Sequence, residues 1–184
     1  MVAEEAHLSR QALYHHFDSK EALFAALVDE LHEAALGAAT AAAAKGAPTV
    51  AQAIGSIMLA YHKALMSRVA GSPYAAELIE ESGRQCGSAV SAVGKRFEAL
   101  LEGVIAGFVR GGRFRLRQSV SVRELTEMVQ VAAKGVKLAH AGESEARYAQ
   151  ALKRMIDVIC LGAEAHGAAA AKGTRTGTAR RIAR

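Results

Sequence analysis

The sequence predicts an all-α chain, with a helix-turn-helix head followed by a larger helical body. Three observations carry that prediction. Apolar residues recur three and four positions apart along most of the chain. Alanine is abundant and only 2 of 184 residues are proline, a composition that suits helix interiors and rarely interrupts them. The period-2 alternation of half-buried strands is not evident.

The first stretch, Ala3 to Phe24, reads as helix, turn, helix, turn, helix. Ala3 to Ala6 closes a helix, and His7 and Leu8 make the turn. Ser9 is a cap, its hydroxyl placed to accept a free backbone N–H of the helix that runs from Arg10 to about Phe17. Asp18 is the expected cap of the helix after that, with Glu21 completing a capping box. In the middle helix Leu13 and Phe17 share one side. Gln11 and His15 share the opposite side, flanked by Arg10, Ala12 and Tyr14. An apolar anchor under a hydrogen-bonding face is what a helix lying in a DNA major groove requires. Many amphipathic surface helices have the same spacing.

The residue identities are more specific than the spacing. The stretch follows a pattern close to Ile-Ala-x-x-Ala-Gly-Val-Ser-x-x-x-Leu-Tyr-x-His/Tyr-Phe-x-x-Lys-x-x-Leu. Val2, Ala3, Ala6, Leu8, Ser9, Leu13, Tyr14, His16, Phe17, Lys20 and Leu23 all fall on it. In this it resembles the TetR family of bacterial transcriptional regulators. The resemblance implies a dimeric regulator of double-stranded operator DNA, usually a repressor, released by a small-molecule effector bound in the body. There are two departures. His7 stands where the family has Gly, which reaches positive φ at less cost. Family members also carry a helix before this motif, whereas Met1 falls directly on it. The expectation is a head lacking its first helix. Residues 1–24 would be a partial DNA-binding domain, 25–167 an effector-binding and dimerisation domain, and 168–184 a disordered basic tail.

Lys20 to about Ala44 reads as one long helix, with Leu23, Phe24, Leu27, Val28, Leu31 and Ala35 at helical spacing, broken by Gly46-Ala-Pro48. Thr49 starts the next, running to about Ala70 and burying Val50, Ile54, Ile57, Met58, Tyr61, Leu65 and Val69. After Gly71-Ser-Pro73, Tyr74 to about Glu81 forms a short helix. Ser88 to Arg110 follows, with Val90, Val93, Phe97, Leu100, Leu101, Val104, Ile105 and Phe108 inward, ended by Gly111-Gly112. Val122 to Ala139 turns Leu125, Met128, Val129, Ala132 and Val136 to one face, and Ala141-Gly142 stops it. Glu145 to about His166 is the last packed helix, with Tyr148, Leu152, Met155, Ile156, Ile159 and Ala163 inward. From Gly167 only Ile182 is large and apolar, too little to order the tail.

The order of helices is similar to the same family. Arg110-Gly-Gly-Arg-Phe114 looks like its corner after the long body helix, and Lys134-Gly135 and Leu161-Gly162 like the glycine-bearing points of its last two helices. The resemblance implies a homodimer through residues 122–166, with Gly135 and Gly162 allowing close approach. It also implies DNA contacts by Ser9, Arg10, Gln11, Ala12, Tyr14, His15 and Lys20. An effector cavity would be lined by Met58, Tyr61, His62, Leu65, Phe97, Leu101, Phe108 and Met128. Each of these last eight is more often simply core, and Arg10 can pair with Glu4 or Glu5 instead of DNA.

The net charge of +5 says little about the head. Lys172, Arg175, Arg180, Arg181 and Arg184 account for all of it, while Met1 to Phe24 has Glu4, Glu5, Asp18 and Glu21 against Arg10 and Lys20. No apolar run approaches the roughly 20 residues that cross a bilayer, and no signal peptide opens the chain. A cytoplasmic protein is expected, with no membrane partner. Cys86 and Cys160 show no metal-ligand spacing and are expected as free thiols. His7, His15 and His16 sit inside a motif with another explanation, so no metal is assigned. No cofactor is implied. With no nucleophile elbow, phosphate loop or paired buried carboxylates, an enzyme is not expected. Two other readings compete with the regulator. One is a dimeric helical ligand- or partner-binding module whose truncated head no longer functions. The other is a non-specific nucleic-acid binder acting through its arginine-rich tail.

Overall fold

Ser19 opens the first complete helix of the computed structural model, which describes residues 15–69 and 87–165. The Ser19 backbone is extended (φ −154°, ψ 168°), and its hydroxyl accepts the Ala22 N–H at 3.0 Å. The cap is therefore Ser19 and not Asp18, because the chain turns helical one residue later than expected. Helix α1 spans Lys20–Ala44 and ends where Gly46 takes a positive φ of 67° ahead of Pro48. Thr49 then caps α2, Val50–Val69, accepting the Gln52 N–H at 3.2 Å.

Helix α3 spans Gly87–Arg110 and closes with a Schellman motif. Gly112 sits at φ 67°, its N–H bonds the Val109 carbonyl at 3.1 Å, and the Arg113 N–H reaches back to Phe108 at 3.0 Å. Arg113 then lies over the Phe108 ring, 4.1 Å from its centroid. Helix α4, Val122–Ala139, starts with a full capping box between Ser121 and Glu124. Gly142, at φ 82°, turns the chain into α5, Glu145–Ala163, capped by Ser144. That helix stops short of the expected His166. Glu164 is drawn into an antiparallel bridge with Leu116, flanked by Arg117 N–H to Ala163 O at 3.0 Å and Ala165 N–H to Arg115 O at 2.7 Å. This small pairing staples the α3–α4 connection to the end of α5.

Among the described residues the fold is entirely helical. Helix α1 packs on α2 and α3, α4 packs on α5 and α3, and α2 crosses both α3 and α5. Ile54, Ile57, Leu101, Ile105, Leu125, Val129, Leu152 and Ile156 form the centre of the core. Thr126 is buried among them without cost to its hydroxyl, which donates to the Val122 carbonyl at 3.0 Å. The inward faces of the last two helices differ from expectation. Thr126 and Ala133 are buried on α4 in place of Met128, and Cys160 on α5 in place of Met155; both methionines point outward. Cys160 is a free thiol, and its pKa is pushed up to about 12 by burial and by Asp157 and Glu164. The short helix expected over Tyr74–Glu81, Cys86, the tail, and the side chains of Val69 and Val90 lie outside the described residues.

Candidate functional site

Four helices leave a cavity of about 640 Å³ between them. Met58, Tyr61, His62 and Leu65 of α2 line it at intervals of three and four, so one face of that helix forms a wall. Helix α3 contributes Gly94, Lys95, Phe97 and Glu98, and α5 contributes Tyr148. Gln130, Ala133, Lys134 and Lys137 come from one face of α4. The lining is thus mixed, with apolar and aromatic groups from α2, α3 and α5 and with charged groups on α3 (Lys95, Glu98) and α4 (Lys134, Lys137).

The aromatic groups are tied together. The Tyr61 ring packs on Phe97, centroids 4.6 Å apart, and the His62 ring on Tyr148, 4.1 Å apart. The Tyr61 hydroxyl shares a 2.7 Å hydrogen bond with Nδ1 of His32 on α1. A continuous path of side chains therefore runs from the cavity wall to the helix that follows the head. Burial, with the nearby Glu33 charge, pushes the Tyr61 phenol up to about 12, so it remains protonated. Burial lowers the pKa of both imidazoles, His32 and His62, and the positive charge of Lys137 lowers each further. Partial withdrawal from water also lowers the Lys137 ammonium.

Of the eight residues expected to line a cavity, Met58, Tyr61, His62, Leu65 and Phe97 are brought together. Leu101 and Phe108 are placed in the closed core instead. Met128 is on the outer side of α4, in a shallow groove with Val131 and Ile159. Sequence reasoning missed His32, Lys134, Lys137 and Tyr148 as neighbours of this space. The available signal was Gln130, Lys134 and Lys137, which recur at four and three residues and form a polar strip between two apolar ones on α4.

At the other end of the chain, Ser9, Arg10, Gln11, Ala12 and Tyr14 lie outside the described residues. His15 and His16 end a helical turn and are exposed, while Phe17 is partly covered. Lys20 is exposed at the first position of α1.

The outer side of the α4–α5 pair is the other unusual surface. Val131 and Leu138 on α4 and Val158 and Leu161 on α5 are large, apolar and open to water. Gly135 and Gly162 lie among them, and a side chain at either would meet only open space.

Residues 1–27 match the family described as bacterial regulatory proteins, tetR family. No curated protein and no solved structure matches the chain. Among the described residues no helix is long and apolar enough to cross a membrane. The family so matched is one of DNA-binding transcriptional regulators, and the all-helical body agrees with it. Residues 1–27 are thus similar to the N-terminal segment of the TetR-family bacterial regulators.

Proposed function

We propose that this protein is a homodimeric cytoplasmic repressor that binds operator DNA through its head and is released by a small-molecule effector bound in its body. The match of residues 1–27 to the regulators carries this reading. The body supplies what such a cycle needs. Its cavity, at about 640 Å³, falls within the usual size of small-molecule sites. The outer apolar face of α4 and α5 offers a second copy a surface on which to pair. The His32–Tyr61 hydrogen bond links the cavity to α1, the helix leading out of the head.

In this reading the second helix of the head lies in the major groove. Gln11 and His15 face base edges, and Ser9, Arg10, Ala12 and Tyr14 lie beside the backbone. Lys20 and the free N–H groups at the start of α1 hold a phosphate. Two heads must meet successive grooves together, so a small tilt of α1 breaks the fit. An effector drives that tilt only by binding the released conformation more tightly than the DNA-bound one.

The test begins with a DNA site selected by the protein from a random-sequence pool. Replacing Tyr14 and Lys20 with alanine should weaken that site about tenfold or more, as for loss of phosphate and groove contacts, while the dimer persists in sedimentation. Unchanged affinity sinks the head assignment. A folded dimer that selects no sequence at all points to the ligand- or partner-binding module instead.

A further inference from the structure

We infer that the cavity between α2, α3, α4 and α5 takes an amphipathic organic anion, an apolar or aromatic body bearing a carboxylate that sits against Lys137. This rests on reading the cavity as the effector site.

The cavity lining has two chemistries. Met58, Leu65, Phe97 and Tyr148 offer apolar and aromatic surface to a ligand body. Lys95, Lys134 and Lys137 line the same space with Glu98, three ammonium groups to one carboxylate. None of these three lysines is ion-paired among the described residues. Two nearby carboxylates have other partners. Glu33 pairs with Arg96, and Glu145 lies 3.9 Å from Lys63.

Lys137 is the one of the three whose charge acts on both imidazoles beside the cavity. Its ammonium is partly desolvated, and it is close enough to His32 and His62 to disfavour a proton on either. A cationic ligand would add to this repulsion. A neutral apolar ligand would strip further water from the ammonium and return nothing. A carboxylate supplies the missing charge, and the neutral His62 ring retains an N–H to donate to it. The Tyr61 hydroxyl is already held by His32, so it is not the anion's first partner.

Calorimetric titration of the full chain with 2-naphthoate, 2-naphthamide and 2-naphthylmethylammonium separates the possibilities, because the three share a body and differ in charge. The naphthoate should bind at least about tenfold more tightly than the amide, the scale of one charge-assisted hydrogen bond. Lys137→Met should erase that preference and leave amide binding unchanged, and Lys137→Arg should keep much of it. Lys134→Met, further along the same strip, gives an independent check if Lys137→Met misfolds by circular dichroism, and should reduce the preference. Equal or tighter binding of the amide or the ammonium overturns the anion and leaves the cavity as an effector site. So does a naphthoate preference that survives both lysine replacements. No heat from any of the three probes overturns the anion and the effector cavity together.

Discussion

The α4–α5 pair is apolar on both sides, yet the two sides meet different surroundings. Inward, Leu125, Val129, Leu152 and Ile156 are sealed against α2 and α3. Outward, Val131 is 68% exposed and Val158 67%, although both are as apolar as the residues behind them. A helix needs one such face to dock on its own domain. A second apolar face, uncovered among the described residues, leaves a surface suited to a partner. The comparison separates residues that hold the chain together from residues available to hold two chains together, and the two sets should respond differently to substitution.

The largest effect is expected inside. Leu152 is 0% exposed at the centre of the core, so Leu152→Ala should cost about 2–5 kcal/mol, combining lost transfer energy with the cavity left behind. Denaturant unfolding followed at two protein concentrations should show the same loss at both. A loss that grows on dilution would mean that the inner face also serves association. The outer pair should behave the other way. Val131→Asp with Val158→Asp should remove roughly 1.5–3 kcal/mol of association for each side chain that a partner covers. Sedimentation equilibrium should then find a monomer where the parent chain is a dimer, with helix content by circular dichroism unchanged. A parent chain already monomeric at micromolar concentration would remove the outer face from the argument.

The same two-sidedness explains what could be read from the sequence. The ends of α1 and α4 were legible because local signals set them: Gly46 ahead of Pro48, and Gly142 after Ala141. Near Asp18 and Ser19 two adjacent residues offered the same capping chemistry, and only the backbone at Ser19 chose between them. Met128 and Met155 were assigned inward because a helix apolar on both sides has a period but no sign. The apolar wall of the cavity was legible in Met58, Leu65 and Phe97, whereas Lys134 was read only with Gly135 as a point of helix approach and Lys137 was not singled out. The Leu116–Glu164 bridge joins segments far apart in sequence, which no local pattern can register.

The inner face changes character where it nears the cavity, and pH should expose this with a smaller effect than either substitution above. Leu152 and Ile156 give way there to Tyr148, against which the His62 ring packs at a tilt. Burial holds His62 and His32 below the ordinary imidazole value of 6.5, Lys137 lowers both further, and Glu145 and Asp29 oppose the shift only in part. The unfolded chain therefore takes up protons near that ordinary value while the folded chain does not. Stability is at its full value above it, falls as the pH drops through it, and keeps falling until the lowered folded values are reached. Thermal unfolding at pH 7.5 and 5.5 should show a lower Tm at the acid end, well before most carboxylates titrate. His62→Gln keeps a polar ring-sized group but cannot take the proton, so its Tm should fall less between the same two conditions. An equal fall in both chains would show that His62 is as hydrated as it would be in the unfolded state, and that this end of the inner face is open to water like the outer one.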